Sequence, residues 1–192
     1  GSMFYRDALS ALYAYGGIYA TLVLDWQVAQ VGVFGIIAAI AAAVLSWVGG
    51  LADQRLGPKP VIVFCVLVLI LVCTVIVGMS REALFGVPLA EGSSLPDIIF
   101  YICGALIGGA GGALYSASRS MMVRHADPDR PAEAFGLFAL TGKATAFLAP
   151  ALITVFTIWT QSNQLGFLPV IGLFLLGLVL LYFVHPDGDR AA

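Results

Sequence analysis

One lysine lies inside a long apolar stretch of this chain, where a charge is costly. Lys143 follows Glu133 by ten residues, within the apolar segment 133–158. In a helix that offset is about 15 Å. The ammonium would then lie near a bilayer midplane, where an unpaired cation costs at least about 2.5–3.5 kcal/mol. Two interpretations stay open: a structural lysine that bonds helix carbonyls, Tyr115 or Ser116, and a substrate-anion or coupling site that faces a central cavity.

Other polar side chains recur at helical spacing on two segments. Residues 10, 13, 17 and 21 share one face of a helix, and residues 101, 104, 108, 112, 115 and 119 share a face of another. Such faces favour water, a ligand or a close neighbour, and two basic groups suit a carboxylate or another anion. The candidate substrate or cavity residues are Lys143, Arg119, Tyr115, Tyr13, Ser10 and Thr21.

A glycine- and charge-rich block connects two apolar segments at residues 49–59 (GGLADQRLGPK). Asp53 is able to accept hydrogen bonds from Arg55 or from amides at a helix N-terminus, and Gly57 permits a tight reversal. Glu133 begins a helix and is expected to pair with Arg119, Arg124 or Arg130, as a gate or as a structural contact. The candidate gating residues are Gly49, Asp53, Arg55, Gly57, Lys59 and Glu133. An ordinary polar hairpin is the alternative for this block.

Three glycines form two successive G-x-x-x-G steps, at Gly104, Gly108 and Gly112. In lipid, this spacing lets helix backbones touch. We expect the glycine face to pack against the first helix or against another half of the protein.

The residue patterns that disulfide bonds, metal sites, catalysis and nucleic-acid binding require are absent from this sequence. Cys65, Cys73 and Cys103 are odd in number and show no C-x-x-C spacing, so free thiols are expected. H-E-x-x-H is absent, as is a pair of aspartates within the apolar segments, and nothing supports a Ser116–Lys143 dyad. A net charge of −2 offers no basic surface to nucleic acid. We therefore expect no enzyme activity, cofactor, metal or nucleic-acid partner.

Six apolar segments must position these residues. They span 5–24, 28–50, 60–79, 97–119, 133–158 and 166–184, and each is close to the roughly 20 residues that cross a bilayer. The chain is 60% hydrophobic and only 10% charged, with a mean hydropathy of +0.99. The sequence predicts an all-α membrane protein. Residues 1–3 are taken as a remnant of tag cleavage and 4–192 as a single six-helix domain.

The pattern of polar and apolar faces along the chain repeats after three segments. The first and fourth carry a polar face, while the third and sixth are apolar all round and are expected to face lipid. Because three is odd, the second triplet is inverted, and a 3+3 inverted repeat is typical of secondary transporters.

The basic residues are distributed unevenly between the two sides of this topology. One side would hold Arg6, Arg55, Lys59, Arg119, Arg124, Arg130 and Arg190, and the other only Arg81. The positive-inside rule then predicts cytoplasmic termini in an integral membrane protein, and a bacterial inner membrane is the expected location.

The blocks 111–120 (GGALYSASRS) and 131–143 (PAEAFGLFALTGK), followed by Pro150, resemble the unknown major facilitator family, relatives of the fungal autophagy vacuole effluxers. The resemblance departs at Ala117 and Ala149. It implies that this chain corresponds to helices 7–12 of a twelve-helix major facilitator carrier, with helices 1 and 4 lining the cavity, 2 and 5 meeting the other half, and 3 and 6 facing lipid.

The same resemblance implies a function. It suggests secondary transport of a small polar or anionic metabolite by alternating access. The partner would be a missing N-terminal six-helix half or a second copy of the chain, in which Asp53 faces the other copy's Glu133 end. The alternative is an isolated structural half that transports nothing.

Overall fold

The computed structural model describes residues 1–89, 93–127 and 129–184. These residues form seven α-helices, a short antiparallel hairpin and one turn of 3₁₀ helix. The helices are α1 (Ser2–Val23), α2 (Val28–Leu56), α3 (Pro58–Val77), α4 (Leu95–His125), α5 (Pro131–Ala144), α6 (Leu148–Thr160) and α7 (Leu168–Tyr182), the last preceded by the 3₁₀ turn Leu165–Phe167. The predicted all-helical class is therefore confirmed. Arg190 lies outside the described residues.

Five helical segments are long and apolar enough to cross a membrane. They are Val28–Leu56, Pro58–Val77, Leu95–His125, Pro131–Thr160 and Leu165–Tyr182. Helix α1 has 22 residues but is not among them, because Arg6, Asp7 and its tyrosines lower its hydropathy. Six spans and the 3+3 repeat stay predictions.

The predicted fifth helix is not continuous, which corrects the sequence analysis. It divides into α5 and α6, with residues 145–147 between them. Pro150 explains the interruption, because proline has no N–H to bond the carbonyl four residues earlier and its ring clashes with that carbonyl. In the first turn of α6 the same proline is tolerated.

Two other helices extend beyond their predicted ends. Helix α2 continues to Leu56, so Asp53 and Arg55 lie on the helix and not in a loop. Helix α4 continues to His125 and takes in both Arg119 and Arg124. The last turns of α2 and α4 are charged, so their low hydropathy predicts loops. They are helical because Arg and Gln are good helix formers.

Helix α4 is the central element. It packs against α2 and α3, whereas α1 packs against α7 and also contacts α4, α5 and α6. Helices of the first triplet therefore pack mainly on helices of the second.

The apolar helix α3 is buried on one face only, and its predicted contact with lipid stays a prediction for the other face. It buries nine of its 20 residues, including Ile62, Val66 and Leu69, and exposes the opposite face at Phe64 and Leu71. Helix α2, in contrast, has no buried residue. Hydropathy cannot separate a lipid neighbour from a helix neighbour, because lipid tails are as apolar as leucine.

The connection between α3 and α4 contains a hairpin that sequence analysis missed. Strand β1 (Ala83–Leu84) pairs with β2 (Val87–Pro88), and the two turn residues, Phe85 and Gly86, both have positive φ. This is the turn geometry that matches strand twist. At the same end of the bundle, Asp97 of α4 accepts hydrogen bonds from Trp26 Nε1 and Arg81 Nη1, each at 2.6 Å.

Candidate functional site

A hydroxyl pair lies where α1 meets α4. Ser10 Oγ is 3.2 Å from the Tyr115 hydroxyl. One turn along α1, the Tyr13 hydroxyl points at the Ile107 carbonyl oxygen at a long 3.5 Å, and 45% of Tyr13 is exposed. Helical spacing brings these residues to one face, as their periodicity predicts. The pair and Tyr13 are accessible donors and acceptors on a half-exposed surface.

Arg119 follows Tyr115 by one turn of α4. Its side chain is exposed and makes no hydrogen bond or ion pair within residues 1–89, 93–127 and 129–184. Thr21 does not join this set: its hydroxyl donates to the Ile18 carbonyl in its own helix at 2.9 Å, and it lies about 12 Å along α1 from Tyr13.

Lys143 lies in the last turn of α5, directly before the interruption. A cation here is favourable, since helix carbonyls without partners point towards it. The side chain is exposed, and within the described residues it bonds neither Tyr115 nor Ser116 nor any helix carbonyl. Both interpretations of Lys143, the structural lysine and the substrate-anion site, therefore stay predictions.

Two charged residues of α1 hold the interrupted helix, and sequence analysis missed both. Arg6 donates from Nη1 to the Phe138 carbonyl at 3.0 Å, and its guanidinium carbon lies 4.0 Å from the centroid of the Phe138 ring. Asp7 is 4% exposed, and its Oδ2 accepts the Ala149 amide at 3.1 Å. The available signal was an Arg–Asp pair inside a predicted membrane helix, where charges are rare and have a partner or function.

The block 49–59 makes contacts within the chain. Arg124 Nη2 lies 4.0 Å from Asp53 Oδ1, the Asp53 side chain is 14% exposed, and this oxygen has no hydrogen bond in the described part of the chain. Arg124, and not Arg55, is thus its basic neighbour. Lys59 Nζ donates to the carbonyl of Tyr182, the last residue of α7, at 3.1 Å and to that of Val184, just beyond the helix, at 2.6 Å.

The remaining candidate gating residues are Gly57 and Gly49, within the block 49–59, and Glu133 on α5. Gly57 has φ +86° and joins α2 to α3 directly, as its predicted role in a tight reversal requires. Gly49 lies against Ala113 of α4. Glu133 pairs with Arg130 at 3.7 Å, and both side chains are largely exposed, so this ion pair adds little stability.

The glycine face of α4 packs against α2, not against α1 or an external half as expected. Gly104 lies against Phe34, Gly108 against the backbone of Ala38, and Gly112 against Ala42 and Ser46. Beside this contact, a cleft of about 420 Å³ lies between α1, α2 and α4, and its lining includes Tyr13, Gly17, Phe34 and Ile107.

Among the described residues, no group of three or more His, Cys, Asp or Glu is placed to hold a metal ion. The three cysteines are buried and unpaired.

Similarity to known proteins agrees with the resemblance. The family model described as "Vacuole effluxer Atg22 like" matches residues 1–191. No curated protein matches the chain.

Proposed function

The chain belongs to the vacuole effluxer Atg22-like family, a family of transporters, and we propose that it is half of a major facilitator-type secondary carrier. The carrier would move a small polar or anionic metabolite by alternating access. The main support is the pair of exposed basic groups without described partners, Arg119 and Lys143, on the contacting helices α4 and α5. Arg119 lies one turn of α4 from Tyr115 of the Ser10–Tyr115 pair, and charge-assisted hydrogen bonds from arginine and lysine suit a carboxylate.

The exposure of helices α2 and α5 supports the presence of a second six-helix half that packs against them. Helices α2 and α5 bury no residue, and Trp47, Ile36 and Ile40 of α2 are exposed. We propose that a six-helix half, from another polypeptide or a second copy, covers them. Both termini would be cytoplasmic in a bacterial inner membrane.

Alternating access requires elements that are able to change arrangement. The interruption between α5 and α6 supplies one, since residues 145–147 lie outside both helices and turn bonds such as Ala146 N–H to the Lys143 carbonyl at 3.3 Å replace the helical pattern there. Broken helices near the substrate are a recurrent feature of secondary transporters.

The test is uptake into proteoliposomes that contain the purified chain. Labelled neutral amino acids and dicarboxylates are the probes, and Lys143→Met and Arg119→Met are the variants. Loss of one charge-assisted hydrogen bond is worth about 1.5–3 kcal/mol, so we expect KM to rise by about tenfold or more. Arg130→Met is the matched control, because Arg130 is highly exposed and its ion pair is weak.

Each outcome is informative. Uptake that Lys143→Met leaves unchanged would remove Lys143 from the substrate site. No uptake of any probe by the folded chain, in contrast, would favour the alternative of a structural half that does not transport alone.

A further inference from the structure

The proposed transport site gives no role to the most deeply buried charge in the described residues. Asp7 is 4% exposed, and the only other buried polar residue there is Ser118. Ser118 has two partners, the Tyr5 hydroxyl at 2.9 Å and the Leu114 carbonyl at 2.6 Å. Asp7 has no comparable set of side-chain donors.

The one described hydrogen bond of Asp7 is to a backbone amide at the start of α6. Ala149 is the second residue of that helix, its amide donates to Oδ2 at 3.1 Å, and its own side chain is fully buried. Amides in the first turn of a helix have no partner within the helix. The contact therefore connects α1 to the α5–α6 interruption through one carboxylate.

No cation neutralises this carboxylate within the described residues. Arg6 is adjacent in the chain, but its guanidinium is bound at Phe138. The titratable groups on the elements packed around α1 are Asp97, Tyr101, Cys103, Tyr115, Arg119, Arg124 and His125 on α4, Glu133 and Lys143 on α5, Asp53 and Arg55 on α2 and Tyr182 on α7, and α6 carries none. None of the described basic groups lies within 4.0 Å of Asp7.

We propose that Asp7 is a proton-binding site that controls the contact between α1 and α6. The amide and the positive end of the α6 dipole favour the carboxylate, whereas burial without a cation favours the neutral acid. A proton from water adds to a carboxylate oxygen, and the acid is a weaker acceptor than the anion. Protonation thus weakens the bond to Ala149 and loosens the first turn of α6.

The experiment follows protonation without any substrate. The full chain is placed in lipid nanodiscs, and infrared difference spectra are recorded as the pH is lowered, in the carbonyl-stretch region of protonated carboxylic acids. Asp7→Asn is the test variant, because it is neutral and nearly isosteric. Asp25→Asn is the matched control, because Asp25 is exposed and has φ +54°, which asparagine tolerates.

The other Asp and Glu residues also give titrating bands, so we expect one carboxylic-acid component that the wild type and Asp25→Asn share and that Asp7→Asn lacks. Hydrogen exchange, corrected for intrinsic rates, should show that protection of residues 148–151 falls with the same titration. In Asp7→Asn that protection should be low at every pH.

The proposal is overturned if Asp7→Asn keeps every carboxylic-acid component that the wild type and Asp25→Asn share, or if protection of residues 148–151 does not follow the titration. Should Asp7→Asn fail to fold, hydrogen exchange of the wild type alone decides, because protection of residues 148–151 that does not fall as the pH is lowered would refute the proposal. Either failure would leave the transport proposal standing, since no substrate enters this experiment.

Discussion

At Gly108 the α4 backbone comes so close to α2 that a hydrogen atom is the only side chain with room. A Cβ built there would lie 2.8 Å from Ala38 Cα and still closer to its carbonyl oxygen. Backbone atoms of a packed helix cannot move aside as a flexible side chain does. The close approach of α2 and α4 therefore depends on this one position more than on the apolar side chains around it.

Gly108→Ala should destabilise the folded chain by about 1–3 kcal/mol, the usual cost of overpacking. The free energy of unfolding by denaturant in detergent micelles measures this effect. Gly35→Ala on α2 is the control, because a Cβ at Gly35 meets nothing within 4 Å. That variant should match the wild type or gain up to about 1 kcal/mol, since alanine favours helix over glycine. Equal stability of the two variants would refute this account of the helix contact.

At the scale of elements, Asp97 joins three parts of the chain at one end of the bundle. It lies in the first turn of α4, where an anion is favourable. Its Oδ1 accepts from Trp26, between α1 and α2, and from Arg81, before the hairpin. Trp26 is buried and its ring packs on Phe100 and Tyr101, so its indole N–H has no ready substitute for this acceptor.

Asp97→Ala should cost about 1–3 kcal/mol of unfolding free energy, because it leaves the buried indole N–H without its partner. Arg81→Gln should cost less than about 1 kcal/mol, since the Arg81 side chain is 40% exposed and exposed ion pairs are weak. Denaturant titration of both variants separates the two contributions. A larger loss for Arg81→Gln than for Asp97→Ala would contradict the assignment of Trp26 as the main partner.

For the whole molecule, the main question is what covers α2 and α5. Both helices lack buried residues, whereas α3 and α4 are well buried. A carrier that alternates between two states needs two bodies, and the exposed helices are where a second body would pack. Asp53 lies near the end of the exposed helix α2, and its side chain is 14% exposed; we propose that its accessible edge meets that body.

We expect the purified chain to form a dimer, with its mass measured by light scattering and corrected for detergent. Asp53→Ala should raise the dimer Kd by about tenfold or more, as truncation of a partly buried charge does. Asp25→Asn should leave it unchanged. A strict monomer at every concentration would assign the chain to a larger carrier, and an unchanged dimer in Asp53→Ala would exclude Asp53 from the interface.

Much of the fold was predictable because a membrane helix is identified by a continuous run of apolar residues in the local sequence. Runs of apolar residues located every main helix, Gly57 located the α2–α3 reversal, and the blocks around Arg119 and Lys143 indicated the family. The errors have physical causes. Pro150 breaks a helix inside a run that stays apolar on both sides, so hydropathy does not change there, and the hairpin at 83–88 lacks an Asn-Gly or Asp-Gly signal.

The sequence by itself determined helix content, the polar faces of α1 and α4 and the glycine spacing on α4, because each depends on neighbours within one or two turns. Only the tertiary structure decided that the glycines meet α2, that α3 is half buried, and that Asp7 holds the start of α6. Those outcomes depend on which helices are neighbours. An apolar helix surface is equally favourable against another helix and against lipid. Shape complementarity and the few polar bonds therefore decide which helices pack together.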